Sequence, residues 1–254
     1  MRQRALVRRP GPRLADGLVT HIARTPVDGE LALRQRQGYV DALQAEGWET
    51  IEVPAADESP DAVFVEDTVV VHGDLAVLSR PGADERRPET AGTERTLADL
   101  GYRIARIEAP GTLDGGDVLR HDGTVWVGLG ERTNEAGAAQ LAALLAPLGA
   151  HVVGVPVSRV LHLKSGVTAL PDGTVIGFEP LVDDPAAWPA FLAVPEEEGS
   201  HVVLLDGATV LMSSSAPATR ALLEARGLRV VAVDVTEFEK LEGCVTCLSV
   251  RLRG

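Results

Sequence analysis

Cysteine is scarce in this chain: its 254 residues include only Cys244 and Cys247. Two thiols provide no disulfide framework, so a reduced, cytoplasmic protein is expected. Lysine is limited to Lys164 and Lys240, every other basic residue being arginine. That bias fits the base composition of a genome better than it fits a function. The net charge of -13 leaves the chain without the basic surface that holds nucleic acid or an anionic membrane, whereas a cationic small molecule is compatible with it. No apolar run reaches the length of a membrane span, and Met1 to Arg13 holds arginines without the apolar stretch of a signal peptide. There is no phosphate loop and no G-x-G-x-x-G opening a helix.

What the chain does have is an internal repeat. Gly47 to Val53, Gly101 to Ile107, Gly149 to Val155 and Gly227 to Val233 are variants of one phrase, a helix stop followed by a strand. Glycine suits the left-handed position that ends a helix, and Leu141, Leu144, Leu145 and Leu148 before one of them share a helical face. Glycine-bearing turns predict hairpins pairing Val63 to Val71 with Leu75 to Leu78, Val118 to Arg120 with Thr124 to Val127, Val167 to Leu170 with Thr174 to Ile176, and Val202 to Leu205 with Thr209 to Met212. The unit is a hairpin, a helix and a strand, recurring at a spacing of roughly 50 residues. Five units are expected, the fourth degraded around Phe191 to Glu198, and a strand over Cys244 to Leu252 would complete the first and close a ring. The whole chain, 1–254, is expected to form one domain. Closure would gather Asp67, Asp114, His162 and Cys247, each in or near the first hairpin strand of a different unit, at one end of a central axis.

A thiol is a strong nucleophile only as thiolate, and with a free pKa of about 8.5 it needs a base or a positive field nearby. Candidate partners lie in Leu113 to Val118 and in Leu161 to Ser165. Cys244 reads as a small core residue on a strand. C-x-x-C as half of a zinc site lacks a second ligand pair, and as a redox motif it lacks the helix that should follow it. His72 and His121 read as turn residues, while His21, His151 and His201 read as exposed. Glu237, Glu239 and Glu242 read as a solvated run, with Glu242 nearest a pocket rim. Thr133 or Asn134 caps the helix that follows Arg132.

In order along the chain stand Asp61-Ala-Val-Phe-Val-Glu-Asp67, Arg80-Pro-Gly-Ala83 with Arg86 and Arg87, Leu113-Asp-Gly-Gly-Asp-Val-Leu119, Glu131-Arg-Thr-Asn134, His162-Leu-Lys-Ser165 and Thr246-Cys-Leu-Ser249. Together they resemble the dimethylarginine dimethylaminohydrolase family of the guanidino-group-modifying (pentein) superfamily, over nearly the whole chain. The resemblance implies a fivefold pseudo-symmetric α/β propeller of ββαβ units. It implies that Cys247 is the nucleophile, His162 the general acid and base, and Asp114 the carboxylate that holds His162. It further implies that Glu66 and Asp67 face a guanidinium, Arg86 and Arg132 an α-carboxylate, and Asp61 with the backbones of Leu18 and Leu241 the amino-acid end. The implied reaction is hydrolysis of Nω-methylated arginine through a covalent thiouronium, without metal or organic cofactor. A homodimer is left open. An arginine deiminase or amidinotransferase of the same superfamily, or an arginine-derivative binding protein without catalysis, are the competing readings.

Overall fold

The structure is a computed structural model, described here for residues 3–252. Fifteen strands form five separate sheets of three. The chain begins with β1 (Arg4–Val7), crosses through helix α1 (Gly29–Ala45) and returns as β2 (Glu49–Glu52), parallel to β1. Next come the hairpin β3 (Val69–His72) and β4 (Leu75–Leu78), helix α2 (Thr90–Asp99), and β5 (Arg103–Arg106) parallel to β4. The third unit is β6 (Val118–His121), β7 (Thr124–Leu129), α3 (Glu135–Leu145) and β8 (His151–Pro156). The short helix α4 (Leu163–Gly166) leads into β9 (Val167–Ala169), β10 (Val175–Gly177) and β11 (Phe191–Ala193). A 3-10 turn, Pro185–Ala187, stands where the other units have a helix, so the fourth unit is the reduced one, as its sequence suggests. The fifth has β12 (Val202–Leu204), β13 (Thr209–Ser213), α5 (Pro217–Ala225) and β14 (Arg229–Val233). After helix α6 (Thr236–Glu239), β15 (Val250–Leu252) pairs antiparallel with β1, Leu6 opposite Val250, and closes the ring.

The repeated phrase works as its chemistry requires. Gly47, Gly101, Gly149 and Gly227 all have φ between +79° and +88°, which a side chain would resist, and each turns a helix into a strand. Helices begin on side-chain caps where the sequence supplies them: Asp28 accepts from the Leu31 N–H and Asn134 from the Gly137 N–H. Each helix then buries an apolar stripe against its own sheet. Leu97 of α2 packs on Val69, Val71, Ala76 and Leu78; Leu141 and Leu145 of α3 on Val118, Val125 and Val127; Leu223 of α5 on Val210, Met212 and Val230. A buried leucine of this kind contributes about 1.5–3 kcal/mol.

Two expected strands are shorter than their apolar pattern. Val65–Thr68 is a 3-10 turn rather than the start of a strand, and pairing begins only at Val69. Likewise 244–249 is not strand: a turn runs from Cys244, closed by the Cys247 N–H to the Cys244 carbonyl, and only 250–252 pair. Cys244 is therefore buried in a turn instead of on a strand. The reason is shared by all units. Tight turns precede each first strand, at Val65–Thr68, Gly115–Asp117, Leu163–Gly166, Glu197–Ser200 and the cysteine turn. They carry the chain from the outside of the ring to its axis, and alternation of apolar residues cannot distinguish such a turn from a strand.

Close packing of these turns makes a sharp demand on Gly115, where a Cβ would collide with the Glu66 backbone carbonyl, whereas Gly38 on the exposed face of α1 has open space. Gly115→Ala should therefore lower stability by about 1–3 kcal/mol, the cost of overpacking. Gly38→Ala should raise it by roughly 0.5–1 kcal/mol through helix propensity. Thermal unfolding of the two variants checks this, and a neutral Gly115→Ala would mean the turns are looser than described.

Candidate active site

Asp67, Asp114, His162 and Cys247 come from four of these turns. Asp67 is almost fully buried; its Oδ1 accepts from the Gly116 N–H at 2.9 Å and its Oδ2 from Arg86 Nη1 at 2.6 Å. The His162 ring lies between two carboxylates, with Nε2 3.0 Å from Asp114 Oδ2 and Nδ1 3.8 Å from Asp67 Oδ1. Gly116 permits this approach, since a Cβ there would stand 2.6 Å from both His162 Nδ1 and Asp67 Oδ1. Asp114 is fixed in turn: its Oδ1 accepts from the Gly82 N–H and its own N–H donates to Thr133 Oγ1.

Burial pushes the His162 pKa down, but the negative field of Asp67 and Asp117 and the hydrogen bond to Asp114 outweigh it and raise the pKa to about 9. Burial works against the Asp67 carboxylate, yet the imidazolium and Arg86 win and lower its pKa to about 2. The site thus holds a charged acid at neutral pH. Cys247 is buried beside Cys244, with 3.4 Å between the sulfurs. That hydrogen bond, together with burial and the facing carboxylates of Asp67 and Glu66, holds the Cys247 thiol well above the ordinary range. Within the described residues no hydrogen bond joins Cys247 to His162. The cysteine turn is anchored from behind by Tyr39 Oη, 2.7 Å from Ser249 Oγ.

Other expected site residues fall into two groups. Asp61 accepts from the Leu18 N–H with both oxygens, at 3.2 and 3.1 Å, and burial raises its pKa against the pull of Arg86. Leu241 is buried with its side chain beside Gly17, the residue before Leu18, as is the Asp61 carboxylate. Arg132 is buried and makes no hydrogen bond or ion pair with any described residue. Its charge reaches Asp61 through space.

Two residues are more engaged than expected. Glu66 Oε1 takes Lys164 Nζ and Arg251 Nη2, both at 2.6 Å, while its buried Oε2 has no partner and remains open to a ligand. With them it lines a channel of about 600 Å³ between the first strands of the units. Arg86 is not a free carboxylate clamp, because its guanidinium bridges Asp67 and Glu89 and donates to the carbonyls of Asp61 and Phe64. Its Nη1 has Asp67 as its one protein partner, which leaves a single N–H there. Adjacent acidic and basic residues in a motif give no indication of which pairs form first.

Sequence reasoning missed Asp117, Glu89 and Arg251. Of the two candidate caps, Thr133 and Asn134, the helix takes Asn134, while Thr133 Oγ1 donates to Asp117 Oδ2 at 2.6 Å. Asp117 Oδ1 accepts from the Leu163 N–H, fixing the turn that carries His162. The second aspartate of Asp114-Gly-Gly-Asp117 was the signal available. His201, expected to be exposed, is buried with Nε2 2.8 Å from the Ser165 carbonyl. Nor is 237–242 a solvated run: Glu237 is buried on the Asp28 N–H, and Glu242, at φ +58°, accepts from the Thr20 and His21 N–H groups. These contacts tie the segment after Leu18 to the segment around Leu241.

A histidine whose folded pKa of about 9 exceeds its ordinary value of 6.5 contributes stability that is complete below about 6.5 and is lost as pH rises through 9. The ceiling on this contribution is on the order of 3 kcal/mol. Wild-type protein should therefore lose thermal stability between pH 6.5 and 9 more steeply than His162→Gln. Parallel curves for the two proteins would remove the raised pKa.

Comparison with known proteins agrees with this geometry. No family model matches the chain. It is 62% identical over 251 residues to the N(G),N(G)-dimethylarginine dimethylaminohydrolase of Streptomyces coelicolor, covering 99% of this chain and 97% of that protein. It is 34% identical to the enzyme of the same name from Pseudomonas aeruginosa, covering 97% and 98%. The crystal structure of the latter, as a cysteine-to-serine mutant complexed with citrulline, superposes with a TM-score of 0.92 at 33% identity over 99% of this chain and 100% of that one. A histidine-to-glycine dimethylarginine dimethylaminohydrolase, as its adduct with S-methyl-L-thiocitrulline, gives the same TM-score at 32% identity over the same shares. With such relatives over nearly its whole length and the same five-sheet ring, the chain belongs to the dimethylarginine dimethylaminohydrolase family.

Proposed function

We propose that this chain, acting as a single catalytic unit, hydrolyses Nω-methylated L-arginine to L-citrulline and methylamine or dimethylamine. The observation that carries this reading is the His162 ring held between the Asp114 and Asp67 carboxylates. A guanidinium carbon is a poor electrophile because its charge is delocalised, so the site must fix its orientation and supply a proton to the leaving nitrogen. Asp67 faces the guanidinium. Entry of this cation offsets the carboxylate field on Cys247 and releases its proton to solvent, so the thiolate forms only with substrate present. The sulfur then attacks the guanidinium carbon. As the carbon–nitrogen bond breaks, the imidazolium of His162 gives its proton to the departing amine, leaving an S-alkylthiouronium. His162, now neutral, takes a proton from water; the hydroxide adds to the same carbon, the carbon–sulfur bond breaks, the hydroxyl proton passes to the departing sulfur, and citrulline leaves with the thiol restored.

At the other end, Arg132 takes the α-carboxylate, assisted by the one N–H that Arg86 has left, and Asp61 with the Leu18 and Leu241 backbones takes the α-ammonium. A buried arginine with no protein partner supports this, because unpaired buried charge is costly unless a ligand completes it. A nucleophile that must stay a thiol suits the reducing cytoplasm.

Assay of dimethylamine, methylamine and ammonia release from a panel of arginine and methylarginines tests the reading. Methylated arginines should give kcat/KM at least roughly tenfold above arginine, since unsatisfied hydrogen bonds discriminate more strongly than methyl contacts. Faster ammonia release from arginine would make the chain a deiminase instead. Cys247→Ser should abolish turnover while leaving the fold intact, and Cys244→Ser should retain most activity.

A separate expectation concerns Arg132. Hydrogen bonds to a charged group are worth about 1.5–3 kcal/mol, so Arg132→Ala should lower kcat/KM by roughly 10- to 150-fold. Agmatine, which lacks the carboxylate, should be a poor substrate for the wild type and lose little further in the variant. Equal kcat/KM for agmatine and its amino-acid counterpart would remove the clamp.

A further inference from the structure

Cys244 has no task in the reaction above, yet it is placed with unusual economy. A turn closed by the Cys247 N–H and the Cys244 carbonyl at 3.1 Å brings the two residues together, and their sulfurs are 3.4 Å apart with Thr246 Oγ1 3.2 Å from the Cys244 sulfur. A turn of this type keeps its end Cα atoms within about 7 Å, and a disulfide needs about 4.4–6.8 Å. Closing the gap between the sulfurs therefore takes side-chain rotation and a small adjustment of the turn. These are the only cysteines in the chain, so no other intramolecular thiol competes.

We propose that Cys244 is a resolving thiol, and that a hydroperoxide converts the pair into a Cys244–Cys247 disulfide, a reversible off state of the enzyme. In the first step, slow because Cys247 without substrate is a protonated thiol, its sulfur attacks the terminal peroxide oxygen; the O–O bond breaks, the thiol proton goes to the departing oxygen, and a sulfenic acid and an alcohol or water result. In the second the Cys244 sulfur attacks the Cys247 sulfur; the S–O bond breaks and the hydroxide leaves as water with the Cys244 proton. Two thiols are oxidised by two electrons and one peroxide is reduced. A dithiol reverses this by exchange. The benefit is chemical: a lone sulfenic acid proceeds to sulfinic acid, which dithiols do not restore, whereas a disulfide stops the ladder. Burial of both sulfurs favours the neighbouring thiol over a second peroxide as the next reactant.

That the disulfide silences the enzyme rests on Cys247 being the nucleophile; that it forms does not. Full-length protein is exposed to hydrogen peroxide for a prolonged period, digested without reduction and examined by mass spectrometry, with activity measured before and after dithiothreitol. The wild type should yield a cross-linked Cys244–Cys247 peptide, lose activity, and regain most of it. In Cys244→Ser the same treatment should give Cys247 sulfinic acid, with a dithiothreitol-recoverable fraction lower by about tenfold or more. A wild type that accumulates Cys247 sulfinic acid without the cross-link overturns the proposal. A cross-linked wild type that remains active overturns the off state and the nucleophile assignment together, while leaving the cross-link itself established.

Discussion

The structure depends on one buried negative charge. Asp67 is 2% exposed, and an isolated carboxylate in that position would be expelled or neutralised. Three groups from different parts of the ring prevent this: Arg86 with a short ion pair, the Gly116 N–H, and the His162 ring. Each is then fixed by its own partners. Glu89 and two carbonyls orient Arg86, while Asp114 and, through the Leu163 N–H, Asp117 orient the histidine. The carboxylate thus joins the second, third and fourth units at the axis and is the largest of the charges that raise the His162 pKa. It also faces the thiol of the cysteine turn, where its charge adds to the Cys244 hydrogen bond and to burial in holding the Cys247 thiol above the ordinary range.

Fivefold repetition explains why such a site can exist. Each unit contributes strands, and all but the fourth a helix, that bury apolar surface locally, and each leaves a tight turn at the axis whose residues differ from unit to unit. One turn supplies a carboxylate with its arginine, another a carboxylate with two glycines, another a histidine, and another two cysteines. Arg251 and Lys164 both close on Glu66 Oε1, on the wall of the channel between the first strands.

Much of this was legible in the sequence because it rests on local rules. The four helix-ending glycines marked the repeat, and their positive φ values are what made glycine necessary there. Ring closure by β15 followed from a unit that lacked a strand at one end of the chain and an orphan strand at the other. The grouping of Asp67, Asp114 and His162 followed from symmetry. What could not be read was pairing among charges that are adjacent in sequence. Glu66 and Asp67 are neighbours, yet a turn sends one to Lys164 and Arg251 and the other to Arg86 and His162. The acidic residues of 237–242 have the composition of a solvated run, and only the tertiary approach of the segment after Leu18 gives Glu237 and Glu242 their partners. Apolar alternation likewise concealed the cysteine turn as strand.

The central claim is that the Asp67 charge keeps His162 protonated at neutral pH. Titration of the His162 ring by NMR, in the wild type and in Asp67→Asn, tests it directly. A pKa near 9 in the wild type is expected, falling towards or below 6.5, the ordinary histidine value, once the carboxylate is made neutral. An Asp67→Asn protein that is folded and still titrates as the wild type does would contradict the account.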